Sequence, residues 1–343
     1  MTTQKSQMRL EIDEIPMAVE RLLAQGGDSI QEASSAVRAL DPTFAITVAR
    51  GSSDHVCTFL KYVSELLLGI PFASVGPSVA SLYQAPLRLK NSLCLSISQS
   101  GKSPDIVDMA GSAGRDGALT LAITNDPSSP LAKGSMHTLS LHAGVERSVA
   151  ATKTFVTSAI AGLLLLAEWR ADQDLIDAIH DLPTALDKAT RIDWPEIRAA
   201  IGQETSLYTL GRGPTWAMAN EAALKFKEVC QIHAESYSSA EVLHGPVSIV
   251  DGGFPVLGFA ASDKAEKALV DVVDGIAAKG ARAFVTSDRP MAATALECIR
   301  TKHPLTDPLT LIASFYAMVE RLAADKGIDP DAPRHLRKVT ETV

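Results

Sequence analysis

From residue 44 onward, short apolar runs alternate with stretches in which apolar residues recur every three or four positions. Runs at 44–49, 72–75, 93–98, 118–124 and 137–141 predict strands. Stretches at 54–68, 105–115 and 152–170 predict helices between or after them. This alternation predicts a doubly wound, flavodoxin-like α/β unit with a parallel sheet flanked by helices. Ahead of it, Val19, Leu22, Leu23, Ile30, Val37 and Leu40 keep helical spacing with a break at Gly26-Gly27. The pattern then restarts. A strand at 206–210, the turn Gly211-Arg212-Gly213-Pro214 and a helix at 216–229 echo the strand, Arg50-Gly51-Ser52-Ser53 and helix of the first half. Further strands follow at 255–260 and 282–286, and a helix at 308–326. The chain reads as a duplication: helical lead-in 1–29, first domain 30–172, helical connector 173–200 containing Pro183 and Pro195, second domain 201–326, polar tail 327–343.

Composition narrows the function. Of the 343 residues, 46% are hydrophobic and 21% charged, as in an ordinary globular α/β protein. The net charge of −8 supplies no broad positive field for nucleic acid or an anionic membrane, so any anionic ligand must be held locally. Cys57, Cys94, Cys230 and Cys298 are far apart with no C-x-x-C pair, which suits reduced thiols in a cytoplasm. The N-terminus has no apolar signal core, and the stretch 159–167 is too short to span a bilayer. We expect a soluble cytoplasmic protein.

Ser98-Gln99-Ser100-Gly101-Lys102-Ser103 follows a predicted strand and precedes Pro104, with Ser103 at the N-cap position and Pro104 at the first helical one. Free backbone N–H groups at a helix start, with serine hydroxyls beside them, make a phosphate pocket; the same residues also read as an ordinary capped turn. Ser52 and Ser53 fall at the same carboxyl edge of the sheet and serve either as caps or as ligands. The matching turn of the second half, Phe259 to Asp263, lacks the glycine and paired serines, so only the first half is expected to hold phosphate. Glu221 and Lys225 read as a structural i,i+4 ion pair. Glu228, near the end of the same helix, is a candidate base. His244 lies in a turn, as a proton shuttle or an exposed loop residue. By composition the tail Pro333-Arg334-His335-Leu336-Arg337-Lys338 is solvated, yet Lys338 is also a candidate nucleophile toward a sugar carbonyl.

Taken in order, Met8 to Pro16, Ser98-Gln-Ser-Gly101, Ala150 to Phe155, Leu210-Gly-Arg-Gly213, Lys227-Glu228, His233 to Tyr237, His244-Gly-Pro246 and Pro333 to Lys338 resemble the double sugar-isomerase (SIS) family. These segments run over nearly the whole chain and are similar to the isomerase half of glucosamine-6-phosphate synthase and to stand-alone glucosamine-6-phosphate deaminases. The resemblance implies a phosphate cradle of Ser98, Gln99, Ser100 and Ser103, with Ser53 beside it and Ser52 near the sugar. It makes Glu228 the base between C1 and C2, His244 the ring-opening histidine reaching the neighbouring subunit of a homodimer, and Lys338 the imine-forming lysine on a tail that acts as a lid. Val149 takes a ligand-lining backbone position and Glu146 an acidic one near it. Ala151 and Lys102 depart from the family, where a serine and an acidic residue are usual. The synthase carries a glutaminase ahead of this module and the present chain begins at the module, so no internal ammonia source is expected.

What the resemblance implies is an amino-sugar phosphate deaminase that converts glucosamine 6-phosphate to fructose 6-phosphate and ammonia. The alternatives are a fructosamine-6-phosphate deglycase, a ketose/aldose phosphosugar isomerase or, in another class, a sugar-phosphate-binding regulator. Enediol or enolamine proton transfer needs one base, so no metal and no cofactor is expected.

Overall fold

In a computed structural model, which describes residues 5–338, the first five runs form one parallel sheet. Its strands are β1 (Ala45–Val48), β2 (Phe72–Ser74), β3 (Leu93–Ile97), β4 (Leu119–Thr124) and β5 (His137–Ser140), in the order β2-β1-β3-β4-β5. Ala45 pairs with both Phe72 and Leu93, and Leu93 with Leu119. Every residue of β1 and β3 is buried, which is why these strands are apolar or small throughout instead of alternating with polar residues. The helix Pro104–Arg115 turns Ile106, Met109, Ala110 and Ala113 onto Ile46, Val48 and Cys94. Between β1 and β3 the strand order reverses, and the carboxyl ends of strands at such a switch point are where α/β folds bind ligands.

The second sheet repeats the plan with β6 (Ser206–Gly211), β7 (His233–Ser238), β8 (Pro255–Gly258), β9 (Arg282–Val285) and β10 (Thr294–Ala295). Its order β10-β9-β8-β6-β7, read from the β7 edge, is the winding of the first sheet. The helix Glu266–Ala277 presses Leu269, Val270, Val273 and Ile276 onto Tyr208, Leu210 and Val256. Even the turn geometry repeats. Gly51 (φ +56°, ψ −133°) precedes the helix Ser52–Leu67, and Gly213 (φ +59°, ψ −134°) precedes Pro214–Cys230. Side chains rarely adopt this left-handed conformation, so both halves place glycine there.

Contacts gather the described chain into two compact units. The first-sheet unit holds 16–146, 153–181 and 337–338; the second-sheet unit holds 5–15, 147–152 and 182–336. Pro183 and Pro195 begin the helices Leu182–Ala189 and Pro195–Ile201 rather than interrupting helical patterns, because a first-turn proline forfeits no intrahelical bond. In the second-sheet unit the tail caps the helix Gln7–Asp13: the Asp331 carboxylate accepts from Gln7 N (2.6 Å) and Met8 N (2.8 Å). Of the expected lead-in and tail, 1–4 and 339–343 lie outside the described residues. Among the described residues no helix is long and apolar enough to cross a membrane.

Candidate active site

In the first-sheet unit Ser52, Ser53, Ser98, Gln99, Ser100 and Ser103 gather at the carboxyl ends of the paired strands β1 and β3. The 98–103 turn is held from within. Ser98 Oγ accepts from Gly101 N (3.1 Å), Ser100 Oγ from Lys102 N (3.3 Å), and Gln99 O from Asn125 N (3.0 Å). Gly101 is obligatory: its φ is +62°, and a Cβ there would lie 2.1 Å from Ser129 Oγ. Ser103 is the N-cap of Pro104–Arg115 by position, but its hydroxyl makes no capping bond with its own helix. Gly51, not Ser52 or Ser53, occupies the other N-cap, so the two serines enter the first helical turn. Arg50 ties the two turns together, its Nε and Nη2 reaching the buried Asp105 Oδ2 at 3.0 and 2.8 Å. Lys102 pairs with Asp126 (3.1 Å). Hydrogen bonding by the Ser128 hydroxyl, with Lys102 adding to it, pulls Asp126 down to about 2.

Glu146 and Lys338 meet in the same unit, with Lys338 Nζ donating to Glu146 Oε2 at 2.9 Å. The Glu146 carboxylate is fully buried and accepts from Thr154 N (3.1 Å) and Thr154 Oγ1 (2.6 Å). Burial works to raise the Glu146 carboxyl, but the Lys338 ammonium and the Thr154 bonds outweigh it and hold the group below the usual glutamate range. The tail is therefore anchored at its lysine and not simply solvated.

Val149, Glu228 and His244 belong to the second-sheet unit. The loop 147–152 that carries Val149 is held by the buried Glu11, whose carboxylate accepts from the backbone of Arg147 and Ser148. On the helix Pro214–Cys230, Lys225 Nζ lies 2.9 Å from Glu221 and 2.7 Å from Glu228. The expected Glu221–Lys225 pair is thus one arm of a triad. Lys225 and Glu221 are fully buried and Glu228 is the partly open member. Burial works to lower the Lys225 amine, but Glu221 and Glu228 outweigh it and hold the group above the ordinary lysine range. Tyr316 Oη donates to Glu221 at 3.1 Å. His244 ends a 3-10 turn, Glu241–His244, beside Gly245 (φ +146°), and is exposed.

Sequence reasoning missed the second partner of Lys225 and the roles of Arg50 and Glu11. Lys225 reaches Glu228 at i,i+3, a spacing readable from the sequence. Arg50 and Glu11 carry no local signal, since their partners lie 55 and more than 130 residues away. In the second sheet, the turn after β8 meets one of the chain's own carboxylates. Asp307 accepts from Ser262 N, Thr301 N and Thr301 Oγ1, each at 2.8 Å. A cleft of about 640 Å³ lined by Ser81, Val107, Arg115 and Leu131 opens on the flank of Pro104–Arg115, and no residue of 98–103 lines it.

The SIS domain model matches the chain twice, at 44–168 and 200–324. The glutamine–fructose-6-phosphate aminotransferase (isomerizing) of Methanothermobacter thermautotrophicus is 32% identical over 299 residues, which are 85% of this chain and 50% of that protein. The chain thus spans about half the length of that relative. A solved structure from Silicibacter pomeroyi DSS-3, provisionally a phosphosugar isomerase, is 63% identical with a TM-score of 0.93, covering 95% of this chain and all of its own. The C-terminal domain of glucosamine-fructose-6-phosphate aminotransferase from Francisella tularensis is 26% identical with a TM-score of 0.85, covering 96% of this chain and 99% of its own.

Proposed function

The chain belongs to the SIS domain family, and from that premise we propose that it moves a proton between C1 and C2 of an open-chain phosphosugar. The observation that carries the reading is the 98–103 turn at the switch point of the first sheet. Its hydroxyls and helix-start N–H groups suit a phosphate dianion, and Arg50 and Lys102 stand beside it. The substrate is glucosamine 6-phosphate. His244 assists ring opening, Glu228 takes the C2 proton and returns it to C1, and water hydrolyses the resulting C2 imine. Fructose 6-phosphate and ammonia leave. Ser52 and Val149 contact the sugar, and Lys338 condenses with the C2 ketone of the open-chain ketose to form an imine and release water, a step that hydrolysis reverses.

The protein acts as a cytoplasmic homodimer in this reading. Leu243 and Ile249, near His244 in the sequence, are 51% and 56% exposed, and a closed two-fold assembly is the commonest arrangement of soluble oligomers. Light scattering at assay concentration should give twice the chain mass, and an active monomer would refute the shared histidine.

The deciding assay follows ammonia and ketose-phosphate release across glucosamine 6-phosphate, a fructosamine 6-phosphate and unsubstituted aldose phosphates. Ammonia from glucosamine 6-phosphate is expected. Turnover of a fructosamine phosphate alone would make the protein a deglycase, turnover of plain aldose phosphates alone an isomerase, and binding without turnover a regulator. Phosphate binding has its own check. A hydrogen bond to a charged group contributes roughly 1.5–3 kcal/mol, so Ser100→Ala should weaken phosphosugar binding about tenfold or more by calorimetry. Unchanged affinity would remove Ser100 from the cradle.

A further inference from the structure

Two residues past the N-cap of Pro104–Arg115, the helix start beside the 98–103 turn already carries an acid. The Asp105 side chain is fully buried, and a carboxylate there draws on the same positive helix end that would hold a phosphate. A dianion arriving at the turn would meet a fixed charge of its own sign. Arg50 meets that carboxylate first, with two N–H groups on Oδ2. Lys102, the cation within the turn, is matched by Asp126 instead. The second half shows that the winding does not need such a pair. There Gly213 repeats the backbone of Gly51, yet Arg212, in the place of Arg50, donates to Ser238 at 3.2 Å and makes no ion pair among the described residues.

We propose that Arg50 is a positioning residue acting through Asp105: it cancels that charge, so that the 98–103 turn prefers a dianionic phosphate ester to a monoanionic ester of the same shape. The inference rests on the reading of that turn as the phosphate site. The Arg50 side chain is half-exposed, so replacing it opens no cavity in the core. The hydroxyls and N–H groups of the turn stay, and what changes is a buried carboxylate that has lost this cation.

Calorimetry at about pH 8 with glucitol 6-phosphate and glucitol 6-sulfate tests this. Neither ester has a carbonyl, so neither turns over, and at that pH the phosphate is a dianion while the sulfate is a monoanion. The wild-type protein should bind the phosphate more tightly. Arg50→Met should narrow that ratio roughly tenfold or more, and Arg50→Lys, which keeps the charge, should narrow it far less. Adding Asp105→Asn to Arg50→Met makes the pair neutral again and should return the ratio to within a few-fold of wild type. The double variant also removes the unpaired buried charge, so it decides the matter if Arg50→Met alone does not fold. An equal loss for both esters would mean that Arg50 only shapes the turns, and a ratio that Asp105→Asn fails to recover would mean that Arg50 touches the phosphate itself. Either result would overturn the proposal, as would a wild-type protein that binds the two esters equally. A wild-type protein that binds neither would overturn the phosphate reading, and the inference with it.

Discussion

Glu228→Gln is expected to cut turnover by about 10²–10⁴ while leaving phosphosugar affinity unchanged, the loss usual when a general base is removed. The amide is nearly isosteric and cannot accept a proton, and Lys225 keeps Glu221 as its partner at 2.9 Å, so the helix has no reason to move. In the proposed reading affinity rests on the 98–103 turn, which this substitution does not touch. The decisive measurement is exchange of the C1 and C2 hydrogens of a bound phosphosugar with solvent deuterium. Exchange at the wild-type rate in the variant would show that another group moves the proton.

Ending the chain after Asp331 should abolish turnover and leave both units folded. Asp331 itself remains, so the cap on Gln7 and Met8 is kept, and no strand or helix is removed. What disappears is the amine 2.9 Å from Glu146. Burial then acts on the Glu146 carboxyl without its chief opponent, and that group should move upward, retaining its Thr154 bonds. In the full-length chain the sign is opposite. A carboxyl held below its usual range adds stability above that range and loses it as pH falls through the lowered value. Borohydride added with an open-chain ketose phosphate should trap an adduct on Lys338, the product expected of an imine. Lys338→Met should behave like the truncation. Full activity in either variant would show that Lys338 takes no part in turnover.

Much of this architecture is legible in the sequence, for a physical reason. β1 and β3 are covered on both faces, so their residues are apolar or small without interruption and stand out from the helical spacing around them. β7 does not stand out, because it lies at a sheet edge, is mostly half-exposed and is built from His233, Glu235 and Ser236 as much as from Ala234. β10 has two exposed residues and leaves no pattern to find. The candidate site divides the same way. The serine turn and the triad are local, and their spacing can be read along the chain. The contact between Glu146 and Lys338 spans 192 residues and that between Arg50 and Asp105 spans 55, distances over which only folding brings side chains together.

Asp307 gives the duplicated fold an asymmetry that titration can count. The second sheet offers a turn after β8 where the first offers its serines, yet the Ser262 N–H there already faces a carboxylate belonging to the protein. In the proposed reading an incoming phosphate would meet a charge of its own sign in that turn, which disfavours a second phosphosugar there. Saturation should therefore come at one ligand per chain although two sheets have the same winding. The helix bearing Glu221, Lys225 and Glu228 belongs to the second copy, so in the proposed reading the two copies divide phosphate binding from proton transfer.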